Sequence, residues 1–334
     1  MPVPYLTQLA TVAWAAGSLA SPSTLATHLR TQNIDFNVEN KDFIPGELGA
    51  GYIGPLAARG GGRFAQVKFS SELRAQMGNA NSDADNCLPE GALLRALGFN
   101  EAIQAGGGTI YKLTNNPHIY SSGDTDPIDL TVNVDGVNQK ALNCVGDATF
   151  NLKVGMIPTV DYDFRGNLDT GSATATTSSL TEGSAASAET PVPTGLAWVG
   201  AGITLNSVGS LVIEEITFKV GNQLQAAKNA NATYGYGQWE IVKRVSEIAI
   251  ATRVPLKATI DFEALCAAQT AIPLAWGYTA GGSTFNSYAF AVTAKVTGKY
   301  PAKTARNGFL YYGLTLQPDL SASSSAGHLT MTIS

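Results

Sequence analysis

The sequence predicts a mostly β protein in which one building plan is used twice. Three observations support this. Several runs alternate apolar and polar residues with a period of two, the pattern of strands with one dry and one wet face; Val160, Tyr162 and Phe164 set against Thr159, Asp161, Asp163 and Arg165 are the clearest case. Residues 33–165 and 211–318 then repeat the same order: alternating strands, a Gly-rich loop, one short helix and further alternating strands. Composition agrees, with 35 Gly, 44% hydrophobic residues and only 14% charged ones, the balance of a turn-rich β protein that still has enough apolar material for a core.

Taken in order, residues 1–30 carry no charge before Arg30 and no basic start of a secretory leader, and Pro2, Pro4, Gly17 and Pro22 interrupt any membrane-length apolar run. They are expected to form a soluble arm with one short helical piece over 6–16. The first unit is expected over 31–167. It contains a strand with Ala65, Val67, Phe69 and Leu73 inward, preceded by the long loop 45–63 (PGELGAGYIGPLAARGGGR). A helix follows over 88–99 (LPEGALLRALGF), with Pro and Glu near its start. Leu130, Val132 and Val134 mark another strand, and 147–154 and 159–165 form a hairpin about the turn Gly155–Pro158.

Residues 168–193, rich in Ser, Thr, Ala and Gly, read as a flexible linker. The second unit is expected over 194–334. Ile216, Phe218 and Val220 alternate with Glu215, Thr217 and Lys219; the loop 226–238 (AAKNANATYGYGQ) occupies the position that 45–63 holds in the first unit. Residues 240–256 make two strands or one bent strand, 261–271 (DFEALCAAQTA) a helix, and Phe290, Val292, Ala294 and Val296 the dry face of a further strand. A late strand at 308–317, a small-residue stretch at 321–327 and a short strand at 328–333 complete the chain.

Catalytic patterns are absent from the sequence. His28, His118 and His328 have no Cys or His at metal-ligand spacing. Gly60–Gly62 and Gly106–Gly108 lack the Lys-Ser/Thr of a phosphate loop, and no GxSxG or HExxH occurs. Asp124, Asp126 and Asp129 depart from the calcium-loop template and read as a solvated turn. Asn231-Ala232-Thr233 matches a glycosylation sequon, and the match is expected to be chance because no secretory signal is expected. Cys87, Cys144 and Cys266 are odd in number and without CxxC spacing, which argues for a reducing compartment and buried thiols. Net charge is −5, with an acidic first unit and linker and a basic second unit, so no nucleic-acid-binding surface is advertised, and opposite signs favour contact between halves or between stacked copies. The chemistry is therefore that of a structural subunit, with no cofactor and no enzymatic activity expected. For the aromatic run Tyr234, Tyr236 and Trp239 three roles stay open: packing inside the chain, contact with another subunit, or a stacking platform.

Across residues 15–318 the chain resembles the tail tube (major tail) proteins of long-tailed bacteriophages. The likeness lies in the order of weak motifs: NIDFNVENKDFIPGELGAGYIGPLAARGGGRFAQVKFSSEL, LPEGALLRALGFNEAI, CVGDATFNLKVGMIPTVDYDFRG, VGAGITLN and VIEEITFKVGNQL. The insertion 79–86 and the length of the linker depart from the family pattern. The resemblance implies two tandem tail-tube-type β-sandwich or barrel domains, each with one short flanking α-helix. Such units join edge to edge into rings around a pore, six to a ring, so a chain with two units is expected to form a trimer. Stacked rings make a hollow tube that holds a tape-measure protein and passes double-stranded DNA at ejection. Tail terminator and distal tail proteins meet its ends, no membrane is involved, and assembly takes place in the bacterial cytoplasm before the protein serves in the virion tail.

On this basis the long loops are expected to supply contacts between subunits and rings through Glu47, Tyr52, Arg59, Arg63, Lys228, Tyr234, Tyr236 and Trp239. The wet strand faces, with Lys68, Glu72, Glu215 and Lys219, are expected to line the lumen. Two other readings stay open: a β-sandwich adhesin or tail-fibre binding module, and a terminator or baseplate ring that does not polymerise.

Overall fold

Alternating residues become strands here wherever a partner strand satisfies the backbone and a second layer covers the apolar side. The computed structural model describes residues 10–16, 31–40, 43–46, 56–60, 62–73, 91–103, 109–113, 127–134, 137–169, 198–279, 287–297, 302–306, 308–318 and 329–333. The strands of the first half are β1 (Ala10–Ala16), β2 (Thr31–Asn40), β3 (Phe43–Gly46), β4 (Leu56–Gly60), β5 (Arg63–Glu72), β6 (Phe99–Ile103), β7 (Thr109–Leu113), β8 (Ile128–Val134), β9 (Val137–Lys153) and β10 (Thr159–Leu168). Those of the second half are β11 (Thr204–Leu205), β12 (Ile213–Lys219), β13 (Asn222–Lys228), β14 (Tyr236–Arg244), β15 (Glu247–Arg253), β16 (Ala271–Thr279), β17 (Ser287–Val296), β18 (Ala302–Arg306), β19 (Phe309–Pro318) and β20 (Leu329–Ile333). Two helices accompany them, α1 (Gly91–Ala96) and α2 (Phe262–Ala268).

Sixteen strands form one antiparallel sheet whose main path is β2-β5-β10-β9-β12-β15-β19-β17-β20-β7-β6. The path crosses from the first stretch to the second where β9 pairs with β12, from Lys153↔Glu215 to Thr149↔Lys219. It crosses back where β20 pairs with β7. The sheet also doubles over: Phe150 of β9 and Phe290 of β17 lie far apart on the path, yet their ring centroids are 6.2 Å apart. Phe218 stacks on Phe150 at 5.6 Å and Trp276 on Phe290 at 4.9 Å, so aromatics from both stretches fill one core. Among the described residues neither sheet nor core breaks at the expected unit boundaries, 167 and 194; the molecule shows a mostly β, antiparallel architecture continuous across them.

Most local expectations are met. Val160, Tyr162 and Phe164 are buried, as are Ile216, Phe218 and Val220 and the Phe290–Val296 set. Residues 240–256 do make two strands, β14 and β15. Helix α1 is shorter than the expected 88–99. It ends before Gly98, whose φ of +81° lies in the left-handed region that favours glycine. Helix α2 starts where the Asp261 carboxylate accepts from the N–H groups of Glu263 and Ala264, both at 3.1 Å, and stops at Gln269 in the left-handed region; Ala271 already belongs to a strand.

One expectation is corrected. Residues 10–16, within the proposed helical piece at 6–16, form strand β1, paired with β8 from Ala10↔Val134 to Ala16↔Ile128. A short helix is marginal alone, whereas pairing with β8 satisfies the backbone and buries Val12 completely; tertiary pairing overrides alanine's helical preference. The linker beyond 169 and the stretch 321–327 lie outside the described residues.

Candidate functional site

Among the described residues, one organised polar surface is the wet face of β2, β5, β10, β9, β12 and β15. Register puts its residues side by side. Asp35 lies opposite Lys68, Lys68 opposite Asp163, Asp163 opposite Asp147, Lys153 opposite Glu215 and Lys219 opposite Glu247. Carboxylates Asp35, Glu39, Glu72, Asp147, Asp161, Asp163, Glu215 and Glu247 share it with cations Lys68, Lys153, Arg165, Lys219 and Arg253. The face is thus of mixed sign with an acidic excess, and carries no basic stripe that would grip a polyphosphate. Near its centre a shallow depression of about 290 Å³ is lined by Lys68, Ser70, Asp147, Thr149, Asp161 and Asp163. Asp161 there accepts from Ser70 Oγ at 2.6 Å and Asn151 Nδ2 at 2.7 Å, and Asp163 accepts from Gln66 Nε2 at 2.7 Å. These bonds tie neighbouring strands together. Among the described residues no cluster of His, Cys, Asp and Glu is arranged to hold a metal, and no helix is long and apolar enough to cross a membrane.

Two apolar residues break the pattern of this face. Phe64 shares the side of Gln66 and Lys68, and Val145 that of Asp147 and Thr149, yet both are buried. The reason is the hairpin β13–β14, which forms its own two-stranded sheet and folds over that end of the face. Trp239 packs on Phe64 at 4.8 Å between ring centroids, Tyr236 meets Phe64 edge-on at 5.9 Å, and the Arg165 guanidinium sits 5.8 Å from the Trp239 ring.

Polar groups fix the hairpin's base. Asn222 Nδ2 donates to the Leu97 carbonyl (2.8 Å) and the Gly146 carbonyl (2.9 Å), and its backbone N–H donates to Asp147 Oδ1 (2.9 Å). Arg244 Nε donates to Asn222 Oδ1 at 2.7 Å, and Arg244 Nη2 to the Leu97 carbonyl at 2.9 Å. The guanidinium thereby meets carbonyls left over at the end of α1. A Cβ at Gly98 would collide with Arg244 Nη2. Burial pulls the Arg244 guanidinium down to about 10, opposed by nearby Asp147, and it stays charged at neutral pH. Burial raises the Asp147 carboxyl, opposed by the N–H groups of Asn222, Ala148 and Gly221 and by the charge of Lys219.

The two ends of this sheet differ. Both hairpins, β3–β4 and β13–β14, emerge at one end, between β2 and β5 and between β12 and β15. The opposite end gathers the turn after β9 and the segments flanking β12 and β15, linked by Trp198 N–H to the Met156 carbonyl (2.8 Å) and Arg253 N–H to the Val212 carbonyl (2.8 Å). It exposes Val154, Met156, Val199, Val212 and Leu256, the last at 77%. Laterally, β2 pairs only with β5 and β18 only with β19 among the described residues, and β1 comes near β2 without a ladder.

All four residues expected on a wet lining, Lys68, Glu72, Glu215 and Lys219, fall on the one polar face. Of the loop residues, Arg63 and Tyr234 are brought together, the Arg63 N–H donating to the Tyr234 carbonyl at 3.1 Å. Lys228 is exposed opposite Tyr236, and Arg59 stands in β4 opposite Ile44. Glu47 and Tyr52 lie outside the described residues. For Tyr236 and Trp239 the arrangement found is packing within the chain, at 8% and 3% exposure, because Phe64 and Val145 would otherwise face water. The Asn222–Arg244–Asp147 group was not foreseen. Its only sequence trace is the pair of apolar residues, Phe64 and Val145, out of phase on a wet face. No protein-family model matches the chain, and no curated protein matches it.

Proposed function

We propose that this chain is the repeating subunit of a hollow tube of the kind built by the tail tube proteins of long-tailed bacteriophages. The observation that carries the reading is a polar-faced run of the sheet, β2-β5-β10-β9-β12-β15-β19-β18, whose end strands β2 and β18 have no outer ladder among the described residues, the rest of the sheet branching off at β19 through β17. Such edges invite strand addition and are a liability in a free monomer. A heterologous contact repeated around a rotation axis closes into a ring and removes them.

Size supports the reading. At about 4.8 Å per strand, the eight strands span about 38 Å in each chain. Three chains, each bringing two units, give a circumference of about 115 Å and a backbone diameter of about 37 Å before strand tilt widens it. That leaves a channel open to a DNA duplex. The polar face would line it, Lys68, Glu72, Glu215 and Lys219 included. Its acidic excess avoids the multi-phosphate affinity that would stall a passing polyanion. Rings would stack through the hairpin end of one and the exposed apolar end of the next. The tape-measure protein occupies the channel during assembly in the host cytoplasm, DNA follows at ejection from the virion, and terminator and distal tail proteins close the ends. The role is structural, with no cofactor.

Negative-stain microscopy of the purified protein tests this. Striated tubes are the expected result. Discrete rings that never stack would instead make it a terminator or baseplate ring protein, and dispersed particles without a central channel would favour an adhesin or tail-fibre module.

A further inference from the structure

The two stretches build corresponding parts in the same order. Each has a first strand (β2, β12), a hairpin set apart from the main sheet (β3–β4, β13–β14) and a second strand antiparallel to the first (β5, β15). A short helix (α1, α2), a strand pair whose second member lies against the late strand (β8–β9, β16–β17), and that late strand, paired with the second strand (β10, β19), follow. In the second stretch the first strand and the hairpin both rest on the first stretch. β12 extends the sheet at β9, and β13–β14 lies over the polar face, clamped by Asn222 and Arg244.

Among the described residues the corresponding parts of the first stretch lack that support in their own chain. Among the described residues β2 pairs with β5 alone, with β1 near it but not laddered to it, and no other element lies along β3–β4 as β9 and β10 lie along β14. The matching receptor in the second stretch is open. β18 is the hairpin partner of β19, as β9 is of β10, and its outer edge is unpaired among the described residues. Ala249, Thr315 and Gln317, at the hairpin end of the polar face, are exposed, whereas Phe64, Gln66 and Val145 at the same end of the first stretch are buried. The strands are also complementary in charge. β2 contains Asp35 and Glu39 and no basic residue; β18 contains Arg306, together with Lys303, which pairs with Glu263 of its own chain at 2.9 Å, and no acidic residue. Val38 on β2 and Leu310 beside β18 are each 44% exposed on strands whose neighbours bury such residues.

We propose that a second copy of this chain fills both vacancies. Its β2 adds antiparallel to β18, as β12 adds to β9, and its β3–β4 hairpin lies across β15 and β19, as β13–β14 lies across β5, β10 and β9. The junction inside one chain is thus the template for the junction between chains. At the end of α2 the Cys266 carbonyl already accepts from Gln269 Nε2 of the same chain at 2.7 Å, so the second seat rests on the strand edge and the polar face rather than on a helix end. This inference rests on the tube reading for the presence of a neighbour, and adds which edges meet and that the hairpin reaches sideways to a neighbour in the same ring.

The test is cross-linking in a Cys87→Ser background, since Cys144 and Cys266 are buried. Asn37→Cys on β2 and Thr304→Cys on β18 are both exposed positions on the polar side. Mixing the two single variants and adding a short bismaleimide is expected to give a covalent dimer and nothing larger, and the double variant is expected to give a ladder ending at the closed ring. Arg59→Cys with Thr315→Cys is expected to link the hairpin to the neighbouring chain in the same way. Circular dichroism and thermal melts of each single variant establish that it folds. Tubes or rings without inter-chain product overturn this junction and leave the tube reading intact. A product confined within one chain overturns it by placing the hairpin in cis, and a monomer with no product at any concentration overturns both.

Discussion

Replacing Trp239 by Ala tests whether the β13–β14 hairpin is held by its aromatic seat. Trp239 is 3% exposed and packs against Phe64, Tyr236 and the Arg165 guanidinium. Burying a side chain of about 200 Å² is worth about 5 kcal/mol at 25 cal/mol per Å². The two ring pairs add about 0.5–1.5 kcal/mol each and the cation–π contact about 0.5–1 kcal/mol. Those terms overstate the loss, because the hairpin can lift and let water reach Phe64 and Val145. A net cost of about 3–4 kcal/mol is expected, within the span of buried Trp→Ala changes. Urea unfolding gives the stability, and hydrogen exchange shows where it is lost. Amides pairing β13 with β14, such as those near Gln225↔Glu240, should lose protection first, while β9, β10 and β5 keep theirs. A loss below about 1 kcal/mol with unchanged hairpin protection would refute the claim that the aromatic seat holds this element down.

Three further outcomes follow from particular residues. Gly221, at φ +75°, joins β12 to the hairpin, and a Cβ there would strike the Val245 carbonyl; Gly221→Ala should cost about 3 kcal/mol or more by urea unfolding, through strain and collision together. Burial holds the Asp147 carboxyl above its ordinary 3.8, so the folded state disfavours its ionised form. Its contribution is unpenalised below that ordinary value and falls as pH rises from there through the raised value. Asp147→Asn lacks this dependence, so its melting temperature should rise relative to wild type between strongly acidic and neutral pH; a difference constant with pH would contradict the assignment. Glu39→Arg should weaken assembly severalfold by sedimentation velocity, as should Arg306→Glu, and the double swap should recover most of it at low salt; failure of the swap to rescue would argue against charge pairing between β2 and β18.

The sequence pattern revealed the strands with one dry and one wet side, because period-two alternation reports burial on a single face directly. Tyr162 and Phe164, or Phe218 and Phe290, needed nothing more. Strand β1 escaped because its alanine-rich segment carries little alternation of its own and is defined by β8, more than a hundred residues away. The hairpin seat escaped for a related reason. Periodicity says which side of a strand is wet but not what later folds over it, and Trp239, Phe64, Asn222, Arg244 and Leu97 come together only through tertiary contacts. Phe64 and Val145, each apolar at a wet position, were the one local sign that part of the face is covered. The repeated order of parts was legible; that the two stretches share one sheet and one core was not, since β9 pairing with β12 leaves no trace in either strand alone.

Native mass spectrometry of the smallest assembled species formed by the purified chain puts the closure of these edges to the most direct test. Closure of the β2 and β18 edges by sister chains predicts a discrete species of three copies of the 34.8 kDa chain, from which larger assemblies grow by whole rings. A chain that stays monomeric as concentration is raised, or that stops at a two-fold dimer, would contradict it.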